Sequence, residues 1–261
     1  MMLLQNELLK LFKTKKLYIF LLIFVVMRMM AVHFFNAGTG FQTAIEAANA
    51  QSLPLTMRFD AVQFWIIFTA IYIADILTDE LKTGTLKLTL LRPIGRIQLL
   101  HSKMAAMAAF TILLMLFSVL STYAVGLVAF GWGDRTVYNG VTYSTIEGLR
   151  LTAKVYIASL LPLIAFGMIC TFVATVARNL VSVVAFAFIL FIVGEFLHAL
   201  SAIPSDIRTC LIVNQLFDFS DYVVQSNNRS EIALSVTANL SYIAVFYLLT
   251  LAAFRKRDVV C

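Results

Sequence analysis

The chain has 261 residues, of which 61% are hydrophobic and only 13% charged, and it carries a formal net charge of +6. Soluble domains hold roughly 45–50% apolar and about 25% charged residues, so this composition excludes an ordinary soluble domain and points to a protein embedded in a bilayer. The positive balance does not require nucleic acid, because no basic patch is interleaved with aromatics that could stack on bases, and cations beside membrane spans attract anionic headgroups.

The first stretch, 1–16, places Leu4, Leu8, Leu11 and Phe12 on one helical face with Gln5, Lys10 and Lys13 elsewhere. That pattern predicts a helix lying along the membrane surface with its apolar side in the headgroup boundary. An apolar run over 17–35 follows. It continues past Arg28 and ends in no small-x-small cleavage site, so it reads as an uncleaved first span rather than a secretory leader. Further runs occupy 61–77, 104–130, 155–177, 180–200 and 238–254, and each reaches the ~17 residues or more that a helix needs to cross the hydrocarbon. Helices are the expected form, since lipid offers no partner for backbone N–H and C=O groups, and the runs are continuous rather than alternating as barrel strands would be. The expected fold class is an all-α integral membrane protein, a single domain of six transmembrane helices.

Lysine and arginine placement sets the expected orientation. Lys10, Lys13, Lys15, Lys16, Lys82, Lys87, Arg92, Arg96, Lys103, Arg178, Arg255, Lys256 and Arg257 fall on one side. Only Arg58, Arg135, Arg150, Lys154, Arg208 and Arg229 fall on the other, and Arg28 lies inside the first span. Both termini are therefore expected in the cytoplasm of a multi-pass protein of the cell membrane, which an even number of spans satisfies.

Chemistry-bearing residues are sparse. The histidines His33, His101 and His198 are scattered, no H-E-x-x-H occurs, and Cys170, Cys210 and Cys261 make neither a disulfide framework nor zinc-finger spacing. No G-x-x-x-x-G-K-[ST] phosphate cradle is present, so neither catalysis nor a bound cofactor is expected of this chain. A channel or ion-coupled carrier would show a charged ring, a filter or helices broken by Gly and Pro in two related halves. Pro162 is the only proline within a span and no internal repeat is visible. An ATP-independent channel or carrier is the alternative to the reading below.

The segment between the second and third runs, 79–103, is the most patterned stretch. Gly84 weakens a helix by about 1 kcal/mol relative to alanine, Leu86 and Leu90 then stand one turn apart, and Pro93 disfavours helical geometry at Arg92. Helical structure is expected to resume near Ile94 and to run through Lys103 into the third span. An ordinary basic loop explains the charges here, though not the alternation of leucines, glycine and proline.

The residues Glu80, Gly84, Thr85, Leu86, Lys87, Leu90, Pro93, Ile94 and Arg96 form the pattern E-x-x-x-G-T-L-K-x-x-L-x-x-P-I-x-R. This closely resembles the permease subunits of type-2 ABC transporters. The resemblance extends to the six spans, the amphipathic start, the short turn Arg178-Asn179 and the basic end Phe254-Arg255-Lys256-Arg257-Asp258. It implies that Glu80, Gly84, Thr85, Leu86, Lys87, Leu90, Arg92, Pro93 and Arg96 belong to a coupling segment that docks into a cleft of a separate ATP-binding subunit. ATP and Mg would sit on that subunit, and a second permease, identical or related, would complete the pathway. The resemblance further implies short helices dipping back from the outer face within the loop 201–235. It suggests export of an antimicrobial peptide, a drug or another amphipathic compound.

Two ionisable residues fall within the spans and are candidates for function. Arg28 lies about 16 Å into the first span and Glu195 about 22 Å into the fifth, both from the basic side at 1.5 Å per residue. Their depths allow an ion pair. Equally, Arg28 could snorkel or face a wet cavity, with Glu195 and His198 at the outer interface.

Overall fold

Thr14 makes the first break. Its hydroxyl bonds back to the Lys10 carbonyl at 2.6 Å, ending α1 (Met2–Lys13) and turning the chain into α2 (Lys15–Asn36). The computed structural model describes residues 2–36, 48–79, 95–177, 179–199, 209–225 and 229–255. A short α3 (Leu53–Thr56) precedes α4 (Arg58–Ala74), which widens into a π turn over Asp75–Asp79. After it come α5 (Arg96–Phe130), the hairpin β1 (Thr136–Tyr138) and β2 (Val141–Tyr143), α6 (Thr145–Ala177), α7 (Leu180–Ala199), α8 (Ile212–Gln225) and α9 (Arg229–Arg255).

Among the described residues, five helices are long and apolar enough to cross a membrane, namely α2, α4 with its π turn, α5, α6 and α9. The 20-residue α7 adds a shorter apolar stretch, Leu180–Gly194. The two central helices are α4 and α6, each with 61% of its most apolar window buried, whereas α9 buries only 11%. Around α6 are packed α4, α5, α7, α8 and α9, while α1 and α2 lie against α5. The shared core includes Trp65 and Ile66 of α4, Phe110 and Leu114 of α5, and Phe166 of α6.

Several helices begin outside the apolar runs that hydropathy marks. At the start of α6, Ser144 and Glu147 form a capping box: the Glu147 carboxylate accepts from the Ser144 hydroxyl at 2.8 Å and from its amide at 3.1 Å. A cap of this kind fixes a helix start whatever the polarity of the first turns, so α6 begins ten residues before 155. The last helix begins at Arg229, inside the stretch assigned to the outer loop, and its polar turns bury Ser235 and Asn239. In the same loop region α8 packs against α6, α7 and α9, with Val213, Asn214, Gln215, Leu216 and Phe217 buried.

The hairpin follows from Asn139-Gly140, both at positive φ (50° and 73°), as a two-residue primed turn requires. It pairs Thr136 with Tyr143 and Tyr138 with Val141. Residues 49–52 lie against the chain just before it and along its first strand: Gln51 donates to the Gly133 carbonyl at 2.6 Å, and the Val137 amide donates to Ser52 Oγ at 2.8 Å.

Helices in lipid associate through close packing rather than through a hydrophobic drive between them, so small residues at contacts carry weight. Gly194 of α7 is such a contact. A Cβ built there would overlap the Val213 side chain of α8. Gly194→Ala is expected to cost about 1–3 kcal/mol by overpacking, read as a lower melting temperature in detergent. Adding Val213→Ala should restore part of the loss, because the two substitutions act on one contact.

Candidate functional site

Two ends of the bundle hold the polar chemistry. At the hairpin end, Arg58 at the start of α4 is buried and reaches α8. Its Nη1 donates to the Phe217 carbonyl at 2.6 Å and its Nη2 to Asp221 Oδ2 at 2.7 Å. The Tyr138 hydroxyl of the hairpin donates to the other Asp221 oxygen. One carboxylate thus joins α4, α8 and the hairpin. Burial is the main cause that pushes the Tyr138 phenol above its ordinary range, and the bond to Asp221 adds to it, while the nearby Arg58 acts the other way.

Inward from this clasp, α2 and α4 pack as an antiparallel ladder with one rung per helical turn. Phe20 stacks on Phe68 with ring centroids 4.5 Å apart, and Phe24 meets Phe64 edge-on at 6.0 Å. The third rung sets Arg28 Nη1 4.0 Å from Asp60 Oδ2. The guanidinium also lies 4.8 Å above the centre of the Phe24 ring, an additional cation–π contact. Only 4% of the Arg28 side chain is exposed against 56% for Asp60, so the charge is buried on α2 and its counter-charge faces outward. Glu195 is carried by α7, which packs on α4, α6 and α8; its side chain lies outside the described part of the structure.

A buried polar seam runs between α8 and α9. Asn239 Nδ2 donates to Gln215 Oε1 at 2.8 Å and to the Ser235 carbonyl at 2.9 Å. Both polar atoms of the Asn214 amide, Asn239 Oδ1 and Ser235 Oγ are buried without a protein partner among the described residues.

At the basic end, the π turn after α4 is tied from two sides. Lys16 of α2 pairs with Asp75, and Lys103 of α5 donates to the Ile76 carbonyl at 3.0 Å. Nearby, His101 of α5 stacks on Tyr247 of α9, its Nε2 2.7 Å from the Tyr247 hydroxyl. A groove of about 340 Å³ opens beside it between α5 and α9, lined by Ile97, Gln98, Leu251 and Phe254. Glu80, Gly84, Thr85, Leu86, Lys87, Leu90, Arg92 and Pro93 lie outside the described residues. Arg96 opens α5, with Gly95 in extended geometry as its cap.

Sequence reasoning missed Asp60, Arg58, Tyr138 and Asp221. A signal for the first existed: Phe20, Phe24 and Arg28 recur every four residues, as do Asp60, Phe64 and Phe68 in reverse chemical order. No spacing links Arg58 to Asp221, which stand 163 residues apart.

Removing Asp221 would strand a buried guanidinium, so Asp221→Ala is expected to cost about 3–5 kcal/mol, and Tyr138→Phe about 1 kcal/mol. A phenol whose folded pKa lies above its unfolded value stabilises fully below the unfolded value. That stability is lost as pH rises through about 10 and above. Alkaline melting curves should therefore slope less steeply in Tyr138→Phe than in the wild type.

Comparison with known proteins agrees with this architecture. The uncharacterized protein YhcI of Bacillus subtilis (strain 168) is 28% identical over 211 residues, covering 77% of this chain and 67% of its own length. A family model described as ABC-2 family transporter protein matches residues 3–194, most of the chain, from α1 into α7. The chain belongs to the ABC-2 family of transporter membrane proteins.

Proposed function

We propose that this membrane subunit works as one half of an ATP-driven exporter. In this reading the coupling segment within 79–103 engages a separate ABC ATP-binding subunit, and that subunit carries ATP and Mg. The observation that carries the reading is the double tether at the basic end. The π turn before residues 80–94 is held by Lys16 and Lys103, and α5 begins at Arg96 just after them. A displacement delivered at either of these anchored flanks passes directly to α4 or α5.

A second six-span half, identical or related, completes the pathway, and both termini lie on the ATPase side. That orientation follows from the excess of lysine and arginine at this end, and it makes the hairpin and α8 the outer face, with α8 as the helix that returns into the bundle. The substrate class is amphipathic. Apolar spans offer walls for its hydrophobic part, and the Asn214 amide and Asn239 Oδ1, buried without a protein partner among the described residues, offer contacts for a polar part.

Affinity capture in mild detergent, comparing wild type with Leu86→Asp/Leu90→Asp, tests this reading. The wild type is expected to retain a P-loop ATPase and the double variant to lose it by tenfold or more while still migrating as a folded membrane protein. Absence of any ATPase from cross-linked wild type would overturn the reading, and flux without ATP would then be measured.

A further inference from the structure

An open groove of about 360 Å³ lies between α5 and α6, walled by Leu116, Leu120, Ala153, Ile157 and Leu160. Its lining runs from Ile112 to Tyr123 on α5 and from Leu149 to Leu160 on α6, about 16 Å along each helix at 1.5 Å per residue. That is about half of the ~30 Å hydrocarbon core, the depth of a single leaflet. Leu116, Leu120 and Ile157 are 59%, 67% and 68% exposed, so the groove opens sideways toward the surrounding acyl chains.

Its end nearest the hairpin carries interfacial chemistry. The Tyr123 hydroxyl donates to Thr152 Oγ1 at 3.2 Å, and the Tyr123 ring stacks on Trp132 with centroids 5.9 Å apart. Tyrosine and tryptophan collect at headgroup level, so this pair marks where hydrocarbon ends. At this level α6 presents Arg150 and Lys154, one turn apart and both exposed, beside the groove residues Leu149, Ala153 and Ile157. Side chains lean toward the start of their helix, and long cationic ones extend their heads to the interface. Both cations therefore reach back toward the hairpin end. The acid one turn nearer the helix start, Glu147, has its carboxylate engaged by the Ser144 amide and hydroxyl and also feels the Arg150 charge.

We propose that this groove binds one anionic phospholipid, with an acyl chain along α5 and α6 and the phosphate on Arg150 and Lys154. The groove's length matches one leaflet, its walls are apolar, and its cations stand only at the headgroup end. A second copy of the chain fits less well, because a two-fold axis through the groove would bring like Arg150–Lys154 pairs toward each other. The proposal rests on the membrane reading but not on coupling to an ATPase.

Trp132 reports on the site, since Trp65, the other tryptophan, is buried in the core. The intact chain is reconstituted in phosphatidylcholine vesicles, and its fluorescence is titrated with brominated-chain phosphatidylglycerol or brominated-chain phosphatidylcholine. The readout does not depend on which leaflet the groove faces. Wild type is expected to prefer phosphatidylglycerol by about thirtyfold, the scale for two interfacial cations at about 1 kcal/mol each. Arg150→Gln/Lys154→Gln should bring the ratio to about one. Ala153→Phe should remove the preference by filling the groove with the cations intact, and Arg229→Gln should leave it unchanged. Equal quenching by the two lipids in wild type would overturn the proposal, and so would a preference that survives the glutamine pair. Efficient chain-to-chain cross-linking through Ala153→Cys would also overturn it, by showing the groove to be a subunit contact.

Discussion

Arg58 carries a charge buried between α4 and α8, and the outer architecture is arranged around meeting it. The guanidinium is matched by Asp221 and by the Phe217 carbonyl, both on α8. Because Asp221 also accepts from Tyr138, the hairpin is drawn to the same point. Residues 49–52 hold the hairpin from the other side through Gln51 and Ser52. Without that match α8, a helix with an amphipathic sequence and a nearly fully buried body, would lack the polar anchor that orients it against α6. Breaking one partner of such a buried pair costs far more than the pair contributes over an apolar substitute. The clasp is thus better understood as fixing one arrangement than as adding net stability.

The all-helical architecture was legible because each span is a long apolar run and lipid permits few alternatives. Helix ends were less legible, since hydropathy records polarity while helices continue wherever caps and packing sustain them. The Ser144–Glu147 box starts α6 in polar sequence, and the helix from Arg229 buries Ser235 and Asn239 on an otherwise polar start. The hairpin had a signal in Asn139-Gly140 that a search for spans passes over. Arg28 was visible as a buried charge, but counting depth along one helix could not reveal Asp60, which meets it through the pairing of two helix faces. The described structure includes the flanks of the coupling segment but not residues 80–94, so its legibility stops at the tethers on either side.

Charge is distributed so that the two ends behave differently. At the outer end, Arg58 and Asp221 pair across elements far apart in sequence, while Arg150 and Lys154 stay exposed. At the basic end, ties such as Lys103 to a π-turn carbonyl and His101 to Tyr247 join neighbouring helices without enclosing them. One end is latched and the other jointed. Asn214 and Asn239 lie in the interior between them, on α8, which the outer latch holds, and on α9 beside it.

The π turn at Asp75–Asp79 has a geometric corollary. A π turn accommodates one residue more than an α turn over the same rise, so it acts as a reservoir of a single surplus residue. Returning that residue to α geometry would advance the following chain by about 1.5 Å and rotate it by about 100° around the helix axis. The reservoir lies between Lys16 and Lys103 and immediately before residue 80. A push on the chain there could be taken up as a one-residue screw step in α4, with no need to bend the helix.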